Sequence, residues 1–237
     1  MSARKSPVSP LISCEHASNA VPRQWQHRFQ GQQALLNSHC GYDRGSLYVA
    51  QSLASSLDAP LLSGNVSRLL VDLNRSLDHP RHFSELTRSL SVGERSRIDI
   101  EYWWPHWQRY RRYLRELPGR IVHIACHSFT PVLNGKLRTA DVGLLYDPAR
   151  PREKAWCRTL GESIRRHMPQ LRLKMNYPYR GTSNGMGQQH RHCFDDHRLI
   201  TIELEFNHAL CDREDWTALV SWLVQAVADT LEKELNT

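Results

Sequence analysis

LISCEHASN, Leu11–Asn19, is the stretch from which the fold can be argued. Its apolar start predicts a β-strand, and Glu15 and His16 follow at the point where that strand gives way to a loop. Open α/β sheets carry their chemistry at the carboxyl ends of their strands. An acid and an imidazole at this position therefore indicate a candidate site.

Two further apolar runs carry residues of the same kinds. A predicted strand at Ile121–Ala125 is followed by His127, and the run LITIELEF, Leu199–Phe206, contains Glu203 and Glu205. Either histidine alone is better explained as a strand cap or a hydrogen-bonded core residue. Three strands with His, His and Glu at or near their ends, taken with the motifs described below, indicate one metal site.

Predicted strands alternate with predicted helices along the chain. Further strands are expected at Ala59–Leu62, Ser67–Leu73, Asp141–Tyr146 and Leu171–Met175. Helices are expected at Val21–Phe29, Leu47–Leu57, Gly93–Leu117 with an interruption at Pro105, Glu153–His167 and Asp212–Leu235. This alternation predicts a three-layer α/β/α fold with a mostly parallel, mixed central sheet. The chain has 237 residues, of which 40% are hydrophobic, and we expect a single domain over residues 1–237.

The net charge of +7 comes mainly from arginines scattered through the chain, without a long basic block. We therefore expect an anionic small substrate or a general surface bias, and no nucleic-acid partner. The Arg-rich segment 93–117 has aromatic residues near helical spacing, which favours a helix that packs its aromatic face inward. A nucleic-acid-binding face remains the alternative, formed by Arg109, Arg111, Arg112 and Arg115.

The compartment is predicted from cysteine usage and from the absence of targeting patterns. Six cysteines without CxxC spacing indicate reduced thiols. The basic start MSARK is followed by Pro7 and Pro10 rather than by a signal-peptide core, and no run is apolar enough to span a bilayer. These features predict a cytoplasmic protein with no membrane association, and they leave the oligomeric state open.

Zinc hydrolases need three protein ligands, an open position for water and a nearby carboxylate. The candidate ligands are His16, Asp43 and His127. Asp43 also precedes a predicted helix, where a carboxylate is favoured by the helix dipole. Glu15 is the rival for the carboxylate ligand, but adjacent residues on an extended strand point to opposite faces, so Glu15 and His16 are not expected to hold one ion together.

Glu203 and Glu205 lie two residues apart on one strand and so share a face. One is expected to act as the general base, and the other to support the site. In SRLLVDLNRS, Asn74 and Arg75 could orient a substrate carboxylate, although a surface turn explains the same residues. The loop NYPYRGTSNGMGQQHR could close over the site and bring Tyr179 or Arg180 to it, and a flexible connector is its simpler interpretation.

Seven motifs occur along the chain in this order: SCEHASNAVP, HCGYDRGS, SRLLVDLNRS, CHSFTPV, DVGLLYD, NYPYRG and IELEFNHAL. In this order the chain resembles the N-formylglutamate amidohydrolase family, from about Leu11 to about Leu210. That family is similar in fold to zinc carboxypeptidases, to the aspartoacylase and succinylglutamate desuccinylase group, and to zinc-dependent peptidoglycan amidases. The resemblance implies a zinc-hydrolase architecture and attack of water on an amide carbonyl.

Carried over by position, the resemblance supports His16 and His127 as zinc ligands and Asp43 as the carboxylate ligand. The HxxE pair of the carboxypeptidases is absent, because Ala17, Ser18 and Asn19 follow His16. The resemblance favours Glu205 as the base, with Glu203 second. The expected substrate-binding residues are Asn74, Arg75, Arg44, Tyr179 and Arg180.

The resemblance implies a cytoplasmic zinc amidohydrolase of amino-acid catabolism. Its substrate would be a small acidic N-acyl amino acid such as N-formylglutamate, from which it removes a formyl or other small acyl group. Two alternatives remain: a zinc peptide or cell-wall amidase that uses the same site, and a non-enzymatic basic protein that binds nucleic acid.

Overall fold

The computed structural model describes residues 7–235. Its eight strands are β1 (Val8–Cys14), β2 (Leu61–Ser63), β3 (Arg120–Phe129), β4 (Val132–Leu133), β5 (Lys136–Leu137), β6 (Val142–Leu145), β7 (Leu173–Met175) and β8 (Leu199–Asn207). Its α-helices are α1 (Gln33–Leu36), α2 (Ser46–Ser56), α3 (Val92–Ile98), α4 (Trp104–Glu116), α5 (Pro151–His167), α6 (Met186–His190) and α7 (Trp216–Leu235). Short 3-10 helices occupy Arg23–Phe29 and His208–Asp212, and a π turn occupies Asp99–Trp103.

Six strands form one sheet in the order β2-β1-β3-β8-β6-β7, and β4 and β5 form a separate hairpin. The first four strands of that order run parallel to one another. β6 is antiparallel to β8, and β7 is parallel to β6. The predicted mostly parallel, mixed sheet is therefore confirmed, and the parallel strands β2, β1, β3 and β8 all end at the same edge.

Helices cover both faces of the sheet, as the predicted three layers require. Side chains alternate along β1, so Ile12 packs with α2, α5 and α7 in one core while Leu11 packs with α4 in the other. In the second core Trp107 and Tyr110 of α4 are almost completely buried. The aromatic residues of this Arg-rich helix thus face the sheet, as their spacing predicts.

Two predicted features of the backbone are wrong. Ser67–Leu73 is not a strand: it curls through turns in which Leu70 N–H donates to Ser67 O and Arg75 N–H donates to Asp72 O. Its apolar side chains still reach the second core, so burial alone explains the apolar run. Pro105 does not interrupt its helix, because the wide π turn ahead of it absorbs the misfit between proline and regular α-helical bonding.

Among residues 7–235 no helix combines the length and the apolar character needed to cross a membrane. All six cysteines are free, as their spacing predicts.

Candidate active site

Three side chains converge at the sheet edge where the parallel strands end. His16 follows β1, Asp43 precedes α2, and His127 lies within β3, two residues before that strand ends. One potential ligand atom from each lies within 4.8 Å of the others. Asp43 Oδ2 is 3.3 Å from His16 Nδ1 and 3.0 Å from His127 Nδ1. The structure thus brings together the three residues that the sequence predicts as ligands.

A second carboxylate lies on the far side of each imidazole. His16 Nε2 lies 2.7 Å from Asp72 Oδ1, and His127 Nε2 lies 3.1 Å from Glu15 Oε2. A carboxylate accepts hydrogen from the outer nitrogen of such a ring and leaves the inner nitrogen free to bind a metal. Glu15 therefore lies behind His127 rather than among the three converging atoms, and the geometry favours Asp43 as the carboxylate of this cluster.

The carboxylates of this cluster are held in their ionised form. Burial opposes charge on Asp43, but His16 and His127 hold the pKa of its carboxyl well below the usual range. Burial also opposes charge on Glu15, and His127 beside it keeps the pKa of Glu15 low. Asp43 and Glu15 in turn raise the pKa of His127, against the effect of its own burial. The site therefore holds ionised carboxylates beside two imidazoles, a set of donors that suits a cation.

Arg68 links the two aspartates of the site. Its guanidinium donates to Asp72 Oδ2 at 3.0 Å and to Asp43 Oδ1 at 3.4 Å. These contacts fix the oxygen of each aspartate that does not face an imidazole. The sequence did not single out Arg68, because a strand at residues 67–73 gave no reason to place it beside Asp43.

Glu203 and Glu205 project from β8 beside the histidine cluster. Glu205 is aligned with His127 on β3, and Glu203 with Ala125. Glu205 is 4% exposed, and its Oε2 has no hydrogen-bond partner among the described residues. Burial raises the pKa of Glu205 to about 8 and also raises that of Glu203. Two carboxyl groups whose pKa is raised thus lie next to the candidate metal site.

The cluster lines a pocket of about 370 Å³. Asn74, Arg75 and Tyr179, three of the residues predicted to bind substrate, line this pocket, and their binding of substrate stays a prediction. Arg44 does not line it: it turns outward and donates to Asp212 Oδ2 at 2.9 Å. Arg180 is exposed and does not line the pocket either. The expectation that Arg44 and Arg180 contact substrate therefore has no support in this geometry.

The model of the N-formylglutamate amidohydrolase family matches residues 8–211. The chain belongs to this family. It is therefore a hydrolase that acts on amide bonds. No curated protein matches the chain.

The chain is similar to several solved structures. The gene product Atu2144 from Agrobacterium tumefaciens is 24% identical, with 95% of this chain and 91% of that chain covered and a TM-score of 0.78. The N-acetylmuramoyl-L-alanine amidase AmiC2 of Nostoc punctiforme is 9% identical, with 97% and 98% covered and a TM-score of 0.46. The first likeness supports the α/β architecture of this N-formylglutamate amidohydrolase family member.

Several lining residues of this family member were not predicted from its sequence. They are His39, Cys40, Arg68, Arg81, Ser128, Phe129, Thr130, Leu133, Ser183 and Asn184. Most lie on loops that regular periodicity does not describe. One available signal was position: Ser128, Phe129 and Thr130 directly follow His127, so a site at that histidine would include them.

Gly143 allows the close packing that holds Glu205. It is aligned with Glu205 across β6 and β8, and a Cβ atom here would lie 1.9 Å from Tyr177 O and 3.3 Å from Glu205 Cβ. We expect Gly143→Ala to lower the free energy of unfolding by about 2 kcal/mol, as overpacking of a core does, measured by urea denaturation.

Gly93→Ala is the matched control. Gly93 lies in α3 and a Cβ there meets no atom within 4 Å. Alanine has the higher helix propensity, so this variant should be unchanged or stabilised by up to about 1 kcal/mol. Equal behaviour of the two variants would contradict the packing argument.

Proposed function

We propose that this chain is a zinc-dependent amidohydrolase that removes a formyl or other small acyl group from an acidic amino acid, with N-formylglutamate as the expected substrate. The observation that carries the proposal is the buried His16–Asp43–His127 cluster, which lines a pocket together with Glu205, whose Oε2 has no hydrogen-bond partner among the described residues.

The donor set fits zinc. Two imidazole nitrogens and one carboxylate oxygen are a common ligand set of catalytic zinc sites. Asp72 behind His16 and Glu15 behind His127 supply the outer carboxylates that orient such ligands. Glu15 Oε1 and Glu205 Oε2 are buried and have no hydrogen-bond partner among the described residues, so the site has acceptor capacity left for a cation or its bound water. His16, Asp43 and His127 would hold the ion.

When bound, zinc would polarise the scissile carbonyl and make water a stronger nucleophile at neutral pH. A cation in the site also favours the carboxylate form of Glu205, against the effect of burial. Glu205 would then accept a proton from the attacking water and deliver it to the amide nitrogen as the carbon–nitrogen bond breaks. The products of N-formylglutamate would be formate and glutamate.

Asn74 and Arg75 would bind a substrate carboxylate close to the reacting bond. Asn74 Nδ2 lies 3.4 Å from His127 Nε2, and Asn74 Oδ1 accepts from Met186 N–H at 2.8 Å, which orients the amide. Arg75 donates through Nη1 to Asn184 O. Its Nε is buried and faces Asp72 Oδ2 at 3.9 Å, whereas no hydrogen bond of its Nη2 is found among residues 7–235. This guanidinium retains donors for a substrate carboxylate.

Metal content is the direct test. Protein purified without chelator should contain about one zinc per chain by elemental analysis, because three buried protein ligands make a complete catalytic site. His16→Ala and His127→Ala should each reduce that content at least tenfold. His167→Ala is the matched control, since His167 pairs with Asp229 at 2.9 Å away from the pocket and its loss should leave zinc in place.

The substrate is tested separately by comparing turnover of N-formylglutamate with that of a muropeptide amide. We expect activity on the small acidic substrate, which the arginines of the pocket suit. If zinc-loaded protein cleaves only the muropeptide, the proposed metal site stands and the proposed substrate is wrong. A protein that holds no zinc even after zinc is added back would overturn the metal mechanism.

A further inference from the structure

Arg138 is a buried cation whose partners carry no charge. It lies between β5 and β6 and is 8% exposed. Its Nη2 donates to Tyr179 Oη at 3.0 Å, and its Nη1 donates to Thr130 O at 3.5 Å. Over residues 7–235 it makes no ion pair with a carboxylate. A buried charge without a countercharge is costly, so this arrangement calls for an anion.

The guanidinium of Arg138 lies beside two aromatic rings of the pocket wall. Its central carbon is 5.0 Å from the Tyr179 ring centroid and 5.6 Å from that of Phe129. Cation–π attraction holds the guanidinium in this position. Both rings line the pocket, so Arg138 lies directly behind the wall and its charge acts on whatever occupies the pocket.

The Tyr179 hydroxyl connects the Arg138 charge to the pocket. Arginine has no acceptor, so in their contact the Tyr179 oxygen accepts and its own hydrogen remains free to donate. Within the described part of the chain no acceptor for this hydrogen is found. Tyr179 is 45% exposed and lines the pocket. The outcome is a hydroxyl donor at the rim, polarised by the cation behind it.

We propose that Arg138 and Tyr179 form a second anion-binding site, which recognises the side-chain carboxylate of the substrate. This inference rests on the proposed function. Asn74 and Arg75 lie next to the metal cluster, near the scissile bond, whereas Tyr179 lies at the exposed rim. The α-carboxylate is bonded to the carbon that carries the amide nitrogen, while the side-chain carboxylate extends away from it. Arg75 therefore takes the α-carboxylate. Tyr179 donates a hydrogen bond to the side-chain carboxylate, and Arg138 is the residue that positions and polarises the Tyr179 hydroxyl.

The test compares N-formylglutamate with N-formylglutamine, which differ only in that side-chain carboxylate. The ratio of their kcat/KM values should fall about tenfold in Tyr179→Phe and in Arg138→Met, because one hydrogen bond to a charged group is lost. The Tyr179→Phe, Arg138→Met double variant should lose no more than either single variant, since the two residues act as one unit. Lys136→Met, which removes an exposed cation two residues before Arg138, should keep the wild-type ratio.

An equal loss of activity on both substrates would show that the pair only supports the fold, and would overturn the inference. So would fully additive losses in the double variant. Tyr179→Phe is the more secure variant, because its ring is retained and the residue is 45% exposed.

Calorimetric binding of L-glutamate and L-glutamine separates this inference from the proposed function, because it needs no turnover. Tighter binding of glutamate by the wild type, lost in Tyr179→Phe, would support the inference even in a protein that does not hydrolyse N-formylglutamate. Equal binding of both amino acids by the wild type would overturn it, even if hydrolysis is observed.

Discussion

Glu205→Gln is expected to lower kcat on N-formylglutamate about 1000-fold while the protein keeps its zinc. The substitution preserves the volume of the side chain and removes its ability to take a proton. General acid–base catalysis contributes on the order of 100- to 10,000-fold. Glu205 lies outside the three predicted ligands, so elemental analysis should still find about one zinc per chain. Steady-state kinetics on the zinc-loaded variant measures the effect.

Glu203→Gln is the matched control for this prediction. Both glutamates lie on one face of β8, and burial raises the pKa of both. Glu205 is the more deeply buried and is aligned with His127, whereas Glu203 is aligned with Ala125. We therefore expect Glu203→Gln to lose less than tenfold. The reverse order of losses would assign the base to Glu203, and full activity of Glu205→Gln would remove Glu205 from the mechanism.

Arg75→Met is expected to lower kcat/KM for N-formylglutamate on the order of 100-fold, mainly through a higher KM. Loss of a charge-assisted, bidentate contact to a carboxylate removes about 1.5–3 kcal/mol of binding. Arg75 is only partly exposed, with 21% of its side chain accessible, so water does not replace the contact fully. Kinetics on zinc-loaded protein provides the measurement.

The α-amide of N-formylglutamate is the control substrate for Arg75. Wild-type protein should process this amide poorly, and Arg75→Met should lower its kcat/KM by only a few fold, because the carboxylate that we propose Arg75 binds is already missing. A loss of 100-fold on both substrates would instead indicate that Arg75 supports the pocket through Asn184 and Asp72. Zinc content measured on the same preparation detects collapse of the metal site.

The layers of the fold could be predicted from the sequence because the local spacing of apolar residues indicates which side chains are buried. Alternation along β1 sends Leu11 and Ile12 to opposite faces, and the aromatic spacing of α4 sends Trp107 and Tyr110 inward. The same reasoning failed at Ser67–Leu73, where an apolar run is buried without forming a strand. Apolar content specifies that a segment is covered, and the backbone hydrogen bonds decide its conformation.

By itself the sequence determined the α/β alternation, the placement of chemically capable residues at strand ends, and the likeness of motif order to one family. His16, Asp43 and His127 could be selected this way, although the identity of any metal they bind stays a prediction. The tertiary structure alone decided that Asp43 lies between the two imidazoles, that Glu15 lies behind His127, and that Arg44 faces Asp212. It alone brought Arg68 between two aspartates and Arg138 behind Tyr179. These contacts join residues on separate elements and loops, and local pattern carries no information about which side chains such long-range packing brings together.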